Sequence, residues 1–413
     1  MNGLLQRYAG VVGDDVIEHL LSLAKPLAGL RVVHVNSTRV GGGVAEILNK
    51  MVPFMQELGL AATWEVITGD ETFFACTKTF HNALQGFAVM PTAGQLRSYE
   101  QTNAHNAERL RSVLADAEIV VIHDPQPAPL LGFVPERRGL WIWRCHIDLS
   151  RPHRPVWKYL LPHVVGYDAS IFSLADFARR LPHPCYLIPP SIDPLAEKNI
   201  ELEASEIADV RRQFNLDPDR FLVTQVSRFD RFKDPLGVIQ AYRLVKSYVP
   251  GLQLVLAGGE ATDDPEGAVV LEEVLAAAER DPDVRILLLP ADAHRTINAL
   301  QRASDLILQK STREGFGLTV TEGLWKGKPV IGGNVGGIRL QVHDHQTGFL
   351  VDTPEGAALR MRYLLSHREI RERMGRTARV FVLENFLLTR HLLEYLALFH
   401  GLRKGQDDRI EVA

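Results

Sequence analysis

The chain has 413 residues, 46% hydrophobic and 23% charged, enough apolar content to bury large cores in about two to three domains. Its 46 basic and 50 acidic residues leave a net charge of −4, which excludes a broad nucleic-acid surface but allows a local basic pocket for a phosphate. Three cysteines with no CxxC pair exclude a disulfide framework or a cysteine zinc site, and the lack of any apolar run of about 18 residues excludes a membrane span.

The segment MNGLLQRYAG has no charged stretch followed by an apolar one, so no secretory signal is expected and a reducing cytoplasm fits. The first strand is expected at 30–36, LRVVHVN, followed by Gly41, Gly42 and Gly43 and then a helical pattern. Glycines there let the backbone approach a ligand and aim N–H groups at it, with the helix dipole adding positive potential. The same pattern suits a tight strand-to-helix turn without a ligand, since it is neither GxGxxG nor followed by a Walker lysine. Pro53 lies inside the helical pattern and is expected to kink or end the helix.

Further strands are expected at 62–67, 118–123, 140–145, 169–173 and 185–190. Each is a short continuous apolar run of the kind buried on both faces of a parallel sheet. Polar groups at the ends of such runs suit hydroxyl recognition. HDPQP supplies His123, Asp124 and Gln126; WRCHIDLS supplies Arg144, His146 and Asp148. Asp124 could equally cap a turn, and Arg144 could pair with Asp148 or with a phosphate. Trp141 and Trp143, at alternate strand positions, are expected to pack on the sheet.

Residues 191–220 are polar, carry Pro near both ends and leave room for one short helix, so they read as a connection between domains. Beyond them strands are expected at 221–227, 252–258, 284–290, 305–310, 328–333 and 348–352, with helices at 234–251 and 265–281. Strands alternating with helices imply an α/β fold of two doubly wound domains facing a cleft, with ligands at the carboxyl ends of the strands. The domains are set at 1–195 and 196–385. Residues 386–413 form a last helix (387–406), able to pack back on the first domain, and a tail, DDRIEVA, expected to be disordered.

Two motifs in the second half carry charge. QVSRFDRFKDP places Arg228 and Lys233 after a strand; a bidentate fork beside a point charge suits a diphosphate, although a solvated basic loop looks similar. STREGFGLTVTEGLWKGKPVIGG (311–333) places Glu314 before a Gly-Phe-Gly turn and Glu322 on the helix that follows. The N–H groups of Gly315, Phe316, Gly317, Leu318 and Thr319 would then point out of a helix start toward a phosphate, and the two carboxylates could accept from sugar hydroxyls. Two helix-surface glutamates would be the plainer reading; a GFG turn directly before an apolar helix disfavours it. His294, His343 and His345 lack metal-ligand spacing, and no Ser or Cys has the setting of a nucleophile.

Taken together, these residues resemble the retaining GT-B glycosyltransferases of family four. Their mark is Glu, seven residues, Glu, with an upstream Arg and Lys about five apart, matched here by Glu314, Glu322, Arg228 and Lys233. VGGIRLQVHDHQTGFLV (335–351) is similar too, except that the family usually has an acidic residue soon after the glycine pair, where this chain has Leu340 and Gln341. VHVNST with GGGVAEIL, TKTFHNALQG, VIHDPQPAPL, WRCHIDLS, PPSIDPLAEKN and EGFGLTVTE resemble the trehalose glycosyltransferring synthases, a branch similar to the retaining trehalose phosphorylases. The similarity runs from about residue 30 to 390.

The resemblance implies two Rossmann-like domains and transfer of glucose from a nucleoside diphosphate glucose to free glucose, giving α,α-trehalose reversibly. It implies catalytic roles for Arg228, Lys233, Glu314 and His146, with His146 near the donor 6-hydroxyl and Glu314 near the 3-hydroxyl. Gly42, Gly43, Gly315, Phe316, Gly317, Leu318, Thr319 and Glu322 would complete the donor site, Glu322 at the ribose. Asp148, Asp124, Gln126, His81 and Asn82 would face the acceptor. The departing diphosphate would take the acceptor's proton, so no side chain is assigned as general base. No tightly bound cofactor and no metal site are expected; magnesium stimulation, the nucleotide base and a homodimer stay open. The partners are small molecules (nucleotide sugar, glucose and trehalose), with no nucleic acid or membrane. The rival readings are a retaining trehalose phosphorylase, a family-four transferase with another acceptor such as a sugar phosphate, and a sugar-binding regulator without turnover.

Overall fold

The computed structural model describes residues 3–40, 42–259, 265–279 and 281–405. Gly41, Gln406 and the tail DDRIEVA lie outside the described residues. The chain forms two compact units, one running up to Ser191 and resumed from Leu388, the other Ile192–Leu387.

The first unit holds one six-stranded parallel sheet of β1 (Arg31–Asn36), β2 (Ala61–Val66), β3 (Ile119–His123), β4 (Leu140–Arg144), β5 (Ala169–Phe172) and β6 (Cys185–Leu187). Its strand order is β2-β1-β3-β4-β5-β6. The second unit holds β7 (Leu222–Val226), β8 (Gln253–Gly259), β9 (Val284–Leu289), β10 (Leu306–Gln309), β11 (Val330–Gly333) and β12 (Gly348–Val351), in the order β12-β11-β10-β7-β8-β9. Every neighbouring pair that defines the register is parallel. The sequence dictates this: β3 and β7 are buried at every position, which requires cover on both faces. Each strand lies within one of the apolar runs or one residue outside it.

The order of each sheet reverses once, between β1 and β3 in the first unit and between β7 and β10 in the second. At such a reversal the connections leave adjacent strands on opposite faces, and a crevice opens beyond their carboxyl ends. Those two places position the polar residues described below.

Two expectations need revision. Of the two outcomes expected for Pro53, an end to the helix is not found: the helix runs Gly43–Glu57 with Pro53 inside it. Burial of Met51, Phe54 and Met55 on that helix outweighs the single backbone hydrogen bond that proline removes. The segment after Ser191 is more than a connection. Its helix Ala204–Gln213 places Val210, and the following turn places Leu216, in a core with Leu222, Val255 and Leu300. The last helix, Leu388–Lys404, packs within the first unit against the helices Asp14–Ala24 and Gly43–Glu57. Among the described residues no helix is long and apolar enough to cross a membrane.

Candidate active site

In the second unit the polar residues gather at the reversal between β7 and β10. The loop after β7 carries Arg228, whose exposed guanidinium lies 3.2 Å from the Asp230 carboxylate. Asp230 then caps the 3₁₀ turn Arg231–Lys233, accepting from the Lys233 N–H at 3.1 Å. Gln225, within β7, donates to the Lys233 carbonyl at 2.9 Å, so the turn is fixed from both ends. This brings the Lys233 ammonium to 2.5 Å from Oε2 of Glu314, on the loop after β10. The Ser311 hydroxyl donates to the same oxygen at 3.2 Å. Behind this pair Asp234, in the left-handed region at φ 48°, caps the helix Pro235–Lys246 and forms an ion pair with the buried Lys310.

Gly317, at φ 85°, turns the chain into the helix Leu318–Trp325. The first N–H groups of such a helix have no partner within it and carry the positive end of the dipole. The approach to that helix is pressed flat by Gly336 and Gly337. A Cβ on Gly336 would collide with the Glu314 carbonyl oxygen, and one on Gly337 would lie 2.8 Å from the Gly315 oxygen. Gln341 locks the same turn from below: its Nε2 donates to the Phe316 carbonyl at 2.7 Å, and its Oε1 accepts from the Thr321 hydroxyl at 2.5 Å. Gln341 is one of the two positions where the acidic residue is missing, and a carboxylate there could not donate to Phe316.

Glu322 sits on the same helix, 2% exposed, 3.9 Å from the Lys198 ammonium. One turn on, Lys326 donates to the Glu322 carbonyl and to Asn199. Burial pushes the Lys326 ammonium below the usual lysine value, while the Glu322 carboxylate works against that shift.

In the first unit Gly42, at φ 78°, precedes the helix that starts at Gly43, and a Cβ there would meet open space. The end of β3 carries Asp124 in the left-handed region at φ 64°. Its carboxylate accepts from the His146 N–H at 2.7 Å, and its carbonyl accepts from the Trp143 indole at 3.1 Å. Of the two readings open for Asp124, the turn-fixing one is what its bonds express: it holds the loop after β4 in place. Desolvation raises its carboxyl to about 7, against the opposing pull of the His146 N–H and the Arg144 charge.

The other residues expected near the acceptor are less closely joined. Asp148 closes its own turn by accepting from the Ser150 N–H at 2.8 Å. Gln126 is half-buried, and its carbonyl accepts from Asn103. His81 and Asn82 are half-buried at the end of the helix Glu71–Leu84. Arg144 is wholly buried; one nitrogen donates to the Ser173 hydroxyl at 3.3 Å, and its Nε and Nη1 have no hydrogen-bond partner.

His34 was not among the residues expected at the site. It lies inside β1, fully buried, with Nδ1 3.1 Å from Nε2 of His123; His123 Nδ1 is in turn 3.0 Å from Nε2 of His146. The usable signal was parity. His34 pairs with Val121 and His123 with Arg144, so each histidine stands two residues beyond its neighbour's partner, on one face of the sheet. Among the described residues no group of three His, Cys, Asp or Glu side chains is arranged to hold a metal ion.

Comparison with known proteins agrees with this architecture. Residues 34–179 match the family described as trehalose synthase, N-terminal domain, and residues 206–381 match glycosyl transferases group 1. The chain is 46% identical over 401 residues to a trehalose synthase of Thermococcus litoralis, covering 96% of this chain and 97% of that one. It is 42% identical over 407 residues to a trehalose synthase of Rubrobacter xylanophilus, covering 96% and 97%. A solved structure described as trehalose-6-phosphate from E. coli bound with UDP-2-fluoro glucose superposes with a TM-score of 0.73 at 15% identity, covering 91% of this chain and 99% of that one. That likeness establishes the GT-B fold.

Proposed function

The chain belongs to the trehalose synthase family of group 1 glycosyl transferases, enzymes of trehalose-related glycosyl transfer, and from that premise we propose that it moves glucose from a nucleoside diphosphate glucose to the anomeric hydroxyl of free glucose. Configuration at the donor carbon is retained, the product is α,α-trehalose, and the reaction is reversible.

One observation carries this reading: the Lys233–Glu314 pair, held beside a helix start at the strand-order reversal of the second unit. Breaking a glycosyl phosphate bond needs positive charge at the departing oxygen and a group that orients the sugar. Lys233 and Arg228 supply the charge, the N–H groups from Gly315 to Thr319 add to it, Glu314 accepts from the donor 3-hydroxyl, and Glu322 accepts from the ribose. Gly42 and Gly43 let the backbone after β1 approach a ligand closely. The UDP-2-fluoro glucose of the E. coli structure supports the choice of a nucleotide sugar.

The bond between glucose C1 and the phosphate oxygen breaks with its electron pair leaving on the diphosphate. The acceptor oxygen bonds to C1 from the same face, and its proton passes to a diphosphate oxygen. No side chain then acts as base. His146 contacts the donor 6-hydroxyl. Asp148, Gln126, His81 and Asn82 contact the acceptor, while Asp124 acts through the loop it fixes.

The test is incubation with glucose and a panel of nucleoside diphosphate glucoses, with the disaccharide identified by proton NMR. One anomeric doublet with a small coupling is expected, because the two glucose units of α,α-trehalose are equivalent. With the donor glucose ¹³C-labelled at C1, a large coupling at the labelled centre would overturn retention. Trehalose turnover that needs inorganic phosphate and no nucleotide would overturn the choice of donor.

A further inference from the structure

Three histidine rings form a line across β1, β3 and the start of the loop after β4, linked by two nitrogen–nitrogen contacts of 3.1 and 3.0 Å. Each contact needs one proton, because two bare nitrogens at that distance repel and two N–H groups collide. The rings are neutral near pH 7. Burial pushes His34 down to about 3, and burial pushes His123 and His146 well below the usual histidine value, with the Arg144 charge adding to both. Three neutral rings carry one ring proton each. Two of those protons lie in the contacts, so the third sits at one end of the line, on His34 Nε2 or on His146 Nδ1.

The surroundings choose the end. His34 Nε2 is buried with no hydrogen-bond partner. No acceptor lies within hydrogen-bond distance of it, and Nε2 of the neighbouring His391 is likewise without a partner. His391 Nδ1 is engaged with the Ser191 hydroxyl, and the Tyr395 ring centroid stands 6.2 Å from that of His34. A buried N–H without an acceptor is rarer and costlier than a bare ring nitrogen in the same place. The third proton therefore belongs on His146 Nδ1, at the half-buried outer end. A metal bridging the rings is excluded by the contacts themselves, which leave no space for an ion between the nitrogens.

We propose that His34 and His123 are positioning residues that hold His146 as the tautomer with its proton on Nδ1, so that this ring offers the sugar a fixed N–H donor. His34 donates to His123, His123 donates to His146, and the outward N–H is what remains. The bond from the His146 N–H to Asp124 fixes the backbone of the same residue, so ring direction and proton position are both set before any sugar arrives. That the served group is the donor 6-hydroxyl rests on the transferase reading above.

The test has two readouts. In protein labelled with ¹⁵N only at histidine, protonated and bare ring nitrogens have well-separated shifts. The wild type should show a protonated Nδ1 and a bare Nε2 on His34, His123 and His146 alike. His123→Asn keeps an N–H donor available to His146 and should preserve its pattern. His123→Asp, of the same size as Asn, presents only an acceptor once ionised, so in spectra taken at pH 8 or above it should move a proton onto His146 Nε2. A bare His146 Nδ1 in the wild type overturns the proposal, as does the same His146 pattern in the Asn and Asp variants. Should the Asp variant not fold, the wild-type shifts alone decide.

The second readout is kcat/KM at pH 8 for a nucleotide glucose against its 6-deoxy analogue. The hydroxyl should be worth roughly tenfold in the wild type and in His123→Asn, the scale of one hydrogen bond. In His123→Asp that ratio should shrink to about twofold or less. An equal ratio in all three proteins overturns the sugar-facing role. A wild type inert toward every nucleotide glucose removes the transferase reading instead, while the nitrogen shifts still decide the tautomer.

Discussion

The Lys233 ammonium lies 2.5 Å from Oε2 of Glu314, and the two side chains are 17% and 10% exposed. The proposed roles give Lys233 to the diphosphate and Glu314 to the sugar, yet in the protein these groups hold each other. The pairing is useful on both counts. On those roles it fixes a flexible lysine where leaving-group charge would develop, and it holds the Glu314 carboxylate in place as an acceptor.

This pairing separates two variants that would otherwise look alike. Lys233→Ala should lower kcat by roughly two to three orders of magnitude, the scale of one preorganised donor. It should also lower the melting temperature, because a nearly buried carboxylate loses its cation, a loss of up to about 3–5 kcal/mol less whatever Ser311 retains. Arg228→Ala should lower kcat with little thermal penalty, since its side chain is 73% exposed and its solvent-screened attraction to Asp230 contributes only about 0–1 kcal/mol. Steady-state transfer and a thermal melt on each variant check both parts. Near wild-type kcat in both would remove the diphosphate from this loop.

Gly337→Ala tests whether the Gly-Phe-Gly turn must sit where it does. The added methyl would lie 2.8 Å from the Gly315 oxygen and 2.9 Å from a Phe316 ring carbon, with no positive φ to blame. The turn must then shift away, at about 1–3 kcal/mol of overpacking. Because its N–H groups are aimed by that position, kcat/KM for the nucleotide sugar should fall at least about tenfold, as small misplacements do. Gly42→Ala, with open space for its methyl but φ 78°, should strain only its own turn. A Gly337→Ala protein with normal kinetics would show that the donor N–H groups lie elsewhere.

The strands were legible because parallel sheets bury both faces, and runs such as IVVIH and LVTQV have no other comfortable place. The identity of Lys233 and Glu314 as charged residues at strand ends was legible for the same reason. Their contact was not. It spans 81 residues and depends on β10 lying beside β7, a choice of strand order that no local pattern encodes. His34 was hidden by its company, since a lone polar residue in an apolar strand gains meaning only when the parallel register sets His123 and His146 beside it. Pro53 does not end its helix because local propensity is a weak term against the burial of Met51, Phe54 and Met55.

Asp124 predicts a pH dependence of stability. Its carboxyl is raised in the folded chain to about 7 from an ordinary 3.8. For a raised acid the folded state favours the protonated form. The penalty is absent below about pH 4, grows as pH rises, and is complete above about 7. Asp124→Asn keeps an oxygen to accept from the His146 N–H but has no proton to lose. Its melting temperature should match the wild type near pH 4 and exceed it at pH 8, by an amount on the order of 2–4 kcal/mol at most. Melts of both proteins across pH 4–8 check the sign. A difference between them that does not change with pH would mean Asp124 is charged throughout.

Glu322 and Glu314 sit on one helix and its approach, but their proposed partners differ in what they do during the reaction. The ribose is unchanged between ground and transition states, so its hydrogen bonds contribute uniform binding. Glu322→Gln should therefore raise KM for the nucleotide sugar by roughly 10- to 100-fold, the scale of bonds to a charged acceptor, with kcat within a few fold. Glu314→Gln should act on kcat, because the transferred glucose changes shape and charge as its bond breaks, and because the amide releases Lys233 from its ion pair. The fold should tolerate Glu322→Gln, since the side chain keeps its volume, while Lys326 loses the carboxylate that opposes its downward shift. The measurement is a full kinetic set with nucleotide sugar varied at saturating glucose. If Glu322→Gln leaves KM unchanged and collapses kcat, Glu322 faces the reacting sugar, and the assignment of the two carboxylates must be exchanged.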